Sequence, residues 1–223
     1  MRFIEYADRE LMMMDLANTL AGDLKNCLLQ HPWASFVVPG GTTPGPIFDA
    51  LCASSLDWER VHIMLSDERW VPETSERSNT RLIRARLLQD RAAAARFIPF
   101  YTDAETPEDG LPALMPAIAE ELPISVLLLG MGADMHTASI FPGADRLAEA
   151  LAPDAPLLVP MRAPGAPEPR VTLPAHVLAG AMTTHVVITG AEKREALERA
   201  QKLPPTEAPI ATVLKSANIH WAE

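Results

Sequence analysis

The residues able to do chemistry fall in five short segments. The longest is Gly130-Met131-Gly132-Ala133-Asp134-Met135-His136-Thr137-Ala138-Ser139-Ile140-Phe141-Pro142-Gly143. Here an apolar run stops, two glycines bend the chain, and Asp134 and His136 follow two residues apart. A histidine near its usual pKa of ~6.5 is the ordinary general base at neutral pH, and a neighbouring carboxylate can fix its tautomer or raise its pKa. A lone histidine is more often a satisfied structural group. That plainer reading suits His31, His62, His176, His185 and His220, whereas the glycine-rich approach and strand-end position set His136 apart.

The second segment, Gly40-Gly41-Thr42-Thr43-Pro44, lets backbone approach a ligand closely and offers amides and two hydroxyls to an anion. It reads equally as a tight turn with a threonine N-cap and a proline in the first helical turn. No lysine follows, so it is not the Gly-rich nucleotide loop. The third, Ser66-Asp67-Glu68-Arg69-Trp70-Val71-Pro72, puts three charges directly after an apolar run, with Ser78-Asn79 beyond. A guanidinium there can pair with a carboxylate or with a substrate anion, or the cluster is a solvated strand end and Ser78-Asn79 an N-cap. Arg170-Val171-Thr172-Leu173-Pro174 and Gly190-Ala191-Glu192-Lys193 each add one cation. Together with Gly41, Thr42 and Thr43, Arg170 and Lys193 could hold a phosphate. No pair of His or carboxylate residues has the helical spacing of a metal site, so no metal is expected.

The elements that must position these segments follow a repeating pattern. Apolar runs at 35–38, 61–65, 124–129 and 185–188 each lead into one of the polar turns. Unalternated runs are the habit of strands buried on both faces of a parallel sheet. Helical patterns lie between and around them, at 8–30, 44–55, 78–91, 110–121 and 191–202. The expectation is an α/β fold, a mainly parallel twisted sheet with helices on both faces. In such sheets ligands bind at the carboxyl ends of the strands, where all four turns would converge. Seven prolines within 153–174 suggest one long ordered loop, with a short strand over 157–159. The Met12-Met13-Met14 run reads as core filling.

Composition sets outer limits. The chain has 223 residues, 19 Lys+Arg against 29 Asp+Glu, a net charge of −10, and 48% hydrophobic residues. A core is affordable in such a chain, and one domain over 1–223 is expected. The acidic balance argues against nucleic acid. Cys27 and Cys52 make neither a disulfide scaffold nor a zinc motif. No signal-like start and no membrane-length apolar run occur, so a soluble cytoplasmic protein is expected.

Read in order, the five motifs resemble the 6-phosphogluconolactonase family, whose pattern runs G-G-S-T-P, D-E-R-x-V-P with S-N-Y, G-x-G-x-D-G-H-T-A-S-L-F-P-G, R-I-T-L and G-x-x-K. The matching segments are 40–44, 67–72 with 78–79, 130–143, 170–173 and 190–193, which together span nearly the whole chain. The resemblance implies a Rossmann-like phosphosugar isomerase/lactonase fold and hydrolysis of 6-phospho-D-glucono-1,5-lactone in the pentose phosphate route. It implies no cofactor, a free phosphorylated lactone as partner, and a monomer or weak dimer. His136 would be the base on water and Asp134 its orienting partner. Arg69 would face the oxyanion or the phosphate, and Asp67 would hold Arg69 or a sugar hydroxyl. Gly41, Thr42, Thr43, Arg170 and Lys193 would bind phosphate. Thr42 replaces the usual Ser, Thr80 the usual Tyr and Ser75 a common His. Met135 replaces Gly, which implies a turn that does without a flexible residue, at negative φ. A glucosamine-6-phosphate deaminase/isomerase is the nearest alternative, although its D-E-Y lacks Arg69 and its motif lacks the 136–143 ending. A non-catalytic sugar-phosphate sensor is another, although no spare segment is left for a DNA-binding appendage.

Overall fold

The computed structural model describes residues 1–223. In chain order its elements are β1 (Arg2–Glu5), α1 (Arg9–Gln30), β2 (Ala34–Val38), α2 (Gly45–Leu51), β3 (Val61–Leu65), β4 (Asp67–Arg69), α3 (Asn79–Arg86), β5 (Arg96–Ile98) and α4 (Pro107–Ala119). There follow β6 (Val126–Gly130), α5 (Leu147–Leu151), β7 (Val159–Met161), β8 (Arg170–Thr172), α6 (Ala175–Ala179), β9 (Thr183–Thr189), α7 (Ala191–Ala200), α8 (Ala211–Leu214) and β10 (Asn218–Ala222). Seven strands form one parallel sheet in the order β1-β10-β9-β6-β2-β3-β5. Three short strands form a separate antiparallel sheet in the order β4-β8-β7.

Every residue of β2 is buried, as are the first four of β6. Successive side chains on a strand point to opposite faces, so both faces of the sheet are covered at its centre. The expected α/β architecture is therefore present. The longest helix, α1, shows how the pattern works. Asp8 caps it by accepting the Leu11 N–H at 2.8 Å, and Met12, Leu16, Leu20, Leu24 and Leu28 recur every four residues as its buried stripe. Met12 and Met13 fill core as expected. Met14 does not, because the helix turns it outward to 56% exposure.

Two local readings change. The segment 66–69 is not a turn but β3's continuation into β4. The segment 153–174 is not one loop with a strand over 157–159: it contributes β7, which begins only at Val159, and a second strand, β8, starting at Arg170. Three-residue strands carry too little alternation to be read from sequence.

The chain winds from β2 outward to β3 and β5, then returns so that β6 pairs with the other side of β2. This reversal is a topological switch point, and the loops after β2 and β6 diverge there to leave a crevice. Those loops carry the Gly40–Pro44 and Gly130–Gly143 motifs.

Candidate functional site

A cavity of about 260 Å³ opens at the carboxyl ends of the strands. Gly41, Thr42 and Thr43 line it from the loop after β2. Arg69 and Asp67 reach it from β4, Arg170 from β8, and Lys193 from the first turn of α7. His136 enters from the loop after β6. Asp134 alone of the nine candidates is not part of the wall, but it holds the histidine that is.

The His136 loop is bent by an unexpected residue. Met135 has φ +66°, the left-handed region, rather than the negative φ expected of a non-glycine. The turn is closed by Met135 N–H donating to Gly132 O at 2.9 Å and Gly132 N–H donating to His136 O at 3.0 Å. Met135 O in turn accepts from Ile210 N–H at 3.1 Å, so tertiary contact holds the strained backbone. Gly132 is required by space, for a Cβ there would overlap the His136 ring and the Asp134 carboxylate.

His136 Nδ1 lies 2.5 Å from Asp134 Oδ1, and the same oxygen accepts the His136 backbone N–H at 3.1 Å. Burial would raise the Asp134 carboxyl, but hydrogen bonding and charge from His136 outweigh it and hold the pKa below the ordinary value. An ionised carboxylate can only accept, so Nδ1 carries a proton and the ring nitrogen left to act as a base is Nε2. That nitrogen belongs to a side chain facing the cavity, so the pair has the form of an oriented general base.

The cationic side is built differently from expectation. Asp67 does not hold Arg69. Its carboxylate accepts from Ser66 Oγ at 2.8 Å and Ser139 Oγ at 2.6 Å, and stands 4.0 Å from Arg170 Nη1. Arg69 instead donates to Arg77 O at 2.8 Å and lies 3.7 Å from Glu168. The Nε atoms of Arg69 and Arg170 are buried without a hydrogen-bond partner. Burial lowers the Arg170 pKa, with Asp67 opposing and Arg69 reinforcing the shift.

Several contributors escaped sequence reasoning. Glu68 is fully buried, not solvated. It accepts the N–H groups of Arg69, Asn79 and Thr80 at 2.8 Å each and the Thr80 hydroxyl at 2.9 Å. Burial pushes its carboxyl above the ordinary range against the pull of these donors. Glu68 thereby ties the start of α3 to β4. Asn79 is more than a capping neighbour, since it lines the cavity and donates to Asp67 O at 2.9 Å. A Cβ on Gly40 would collide with the Asn79 side chain. Thr80, where the family pattern has Tyr, is one of Glu68's donors.

The threonine N-cap reading fails, because α2 is preceded by Pro44 with no side-chain cap. Thr42 and Thr43 are instead among the residues on the cavity wall. The histidines given the plainer reading have internal partners in four of five cases: His62 with Glu121, His176 with Ala155 O, His185 with Asp23, and His220 with Tyr6. No three His, Cys, Asp or Glu side chains gather as a metal site, and no helix is long and apolar enough to cross a membrane.

Residues 7–221 match the family described as Glucosamine-6-phosphate isomerases/6-phosphogluconolactonase. The chain belongs to this family. Among its relatives, a 6-phosphogluconolactonase of Mesorhizobium japonicum is 40% identical over 97% of this chain and 93% of its own. A 6-phosphogluconolactonase of Rhizobium meliloti is 41% identical over 93% and 92%. Among solved structures, a 6-phosphogluconolactonase from Shewanella baltica superposes with a TM-score of 0.96 at 32% identity, covering 100% of this chain and 97% of that one. A monomeric glucosamine-6-phosphate deaminase shares the fold at a TM-score of 0.81 and 15% identity, over 100% and 98% of the two chains.

Proposed function

We propose that this chain is a 6-phosphogluconolactonase, hydrolysing 6-phospho-D-glucono-1,5-lactone to 6-phospho-D-gluconate. The observation that carries the reading is the Asp134–His136 pair on a cavity whose wall also holds Arg69, Arg170 and Lys193. A base poised for water and a cluster of cations for an anionic substrate are what hydrolysis of a phosphorylated lactone requires.

In the proposed reaction His136 Nε2 takes a proton from water as its oxygen attacks the lactone carbonyl. The carbonyl oxygen becomes an oxyanion. Collapse of the tetrahedral intermediate breaks the bond to the ring oxygen, which recovers the proton from the imidazolium. The new carboxylic acid ionises, so turnover releases acid. Such a base contributes ~10²–10⁴-fold. Asp134 keeps the productive tautomer and stabilises the imidazolium. Gly41, Thr42, Thr43, Arg170 and Lys193 hold the phosphate, and Arg69 adds positive charge beside Arg170. Asp67, set by two hydroxyls and lining the cavity, holds a sugar hydroxyl. The reading includes a free cytoplasmic substrate and a monomer or weak dimer.

The test follows acid release from freshly generated lactone above its spontaneous rate. Wild type should accelerate it, and His136→Ala should lose most of the acceleration. Near-normal kcat in that variant would reject the base assignment. Ammonia release from glucosamine 6-phosphate, without lactone turnover, would reject the activity.

A further inference from the structure

The ring of Phe141 stacks on the His136 imidazole, with centroids 4.2 Å apart and planes inclined by 27°. The Arg170 guanidinium lies over the same ring, its Cζ 5.2 Å from the centroid. We propose that Phe141 is a positioning residue that sets the plane of both groups at once. This rests on the lactonase reading above.

The need for such a plate follows from what else holds the two groups. The Asp134 hydrogen bond fixes where His136 Nδ1 points. It leaves the tilt of the ring free, and the lone pair on Nε2 turns with that tilt. A flat neighbour in stacking contact removes this freedom. Arg170 has no hydrogen-bond partner at Nε, and Asp67 is 4.0 Å away, so the face of Phe141 is what orients its plane.

The plate is itself clamped. Ser139, two residues earlier, donates its hydroxyl to Asp67 and its N–H to Thr172 Oγ1 at 3.2 Å. Ile140 is fully buried and donates to Thr137 O at 3.0 Å. Ala144 N–H donates to Phe141 O at 3.2 Å. Ala138, at φ +49°, turns the chain into this clamp. One rigid segment therefore spans from the base to the anion-binding cation. Geometry lost at Phe141 should be felt by both.

The experiment compares Phe141→Leu, which keeps apolar bulk but not flatness, with Phe141→Tyr, which keeps the ring. Leu should lower kcat about tenfold or more through misaligned attack. It should also weaken binding of inorganic phosphate, measured by calorimetry, by roughly 2- to 30-fold through the lost cation–π contact. Tyr should restore both. Independently of turnover, the His136 Cε1–H resonance should be shifted upfield by the ring in wild type and in the Tyr variant, and should lose that shift in the Leu variant. Wild-type kcat and phosphate affinity in Phe141→Leu would overturn the proposal, as would equal losses in Leu and Tyr. If the Leu variant does not fold, a wild-type His136 resonance no further upfield than that of exposed His31 overturns it. Should wild type fail to hydrolyse the lactone, the functional reading falls, while the resonance and phosphate measurements still judge Phe141.

Discussion

Arg69 and Arg170 stand directly opposite one another in the antiparallel pairing of β4 with β8. Like charges at such a position ordinarily destabilise a sheet. Here the nearest carboxylates, Glu168 at 3.7 Å from Arg69 and Asp67 at 4.0 Å from Arg170, lie beyond normal hydrogen-bond length. The arrangement therefore gains from an added anion. Inorganic phosphate at 100 times its Kd should stabilise the fold by ~2.7 kcal/mol. For a chain of this size the rise in Tm is roughly 5–10 °C. Sodium chloride of equal ionic strength should not reproduce it, and Arg170→Ala should abolish most of it. An unchanged rise in that variant, read by calorimetry, would show that the anion binds elsewhere.

The Asp134–His136 pair makes a second prediction, separable by kinetics. Asp134→Asn keeps the shape but removes the charge that fixes Nδ1–H and steadies the imidazolium. The interaction strengthens as the base takes its proton, so the loss belongs to kcat. We expect a fall of ~10²–10³-fold in kcat. KM should stay within a few-fold, because the phosphate ligands are untouched. A variant that raised KM while sparing kcat would mean that Asp134 binds substrate instead.

Much of this was legible in the sequence because it is local. The apolar runs at 35–38, 61–65 and 185–188 are strands, and the polar segments after them do bring Thr42, Arg69 and Lys193 to one cavity. Arg170 was legible as a cation but not as a strand residue. Its partner Arg69 is 101 positions away, and three-residue strands announce no register. Glu68 looked like one charge among three. Only the folded chain shows that five donors from 69–80, the Ser78 hydroxyl among them, surround it while its neighbours Asp67 and Arg69 face the cavity. Phe141 read as part of a motif, but its role depends on where β8 delivers Arg170, which no spacing rule gives. The small sheet β4-β8-β7 is thus both the least readable part of the fold and the part that sets the cationic wall.

Away from the site, His220 makes stability depend on pH. It lies buried between Tyr6, whose hydroxyl is 2.8 Å from Nδ1, and His185, whose Nδ1 is 2.9 Å from Nε2. Burial first, and then the neighbouring His185, lower its pKa to about 4 from the ordinary 6.5. The unfolded chain takes up this proton near pH 6.5, the native chain only near pH 4. Stability is therefore full above pH 6.5 and falls as pH drops through the interval. At 1.36 kcal/mol per pH unit the loss approaches about 3 kcal/mol by pH 4. Urea unfolding between pH 4 and 7 should show this slope, and His220→Asn should flatten it. An equal slope in the variant would assign the dependence to other groups.

Met135 gives the last test, because it occupies a conformation that suits glycine. A non-glycine at φ +66° bears roughly 1–2 kcal/mol of local strain. That strain is tolerable for an unbranched side chain, half-buried against the core, whose carbonyl is fixed by Ile210 N–H. A β-branched residue would clash far more severely with its own backbone in this region. Met135→Val should thus lose about 2 kcal/mol of unfolding free energy. It should also depress kcat, because the same turn delivers His136. Met135→Gly exchanges relief of strain against lost packing and a freer unfolded chain, and should stay within about 1 kcal/mol of wild type with kcat preserved. The contrast between the two variants matters more than either alone. If Val and Gly proved equally stable and active, the positive φ would not be what shapes the turn.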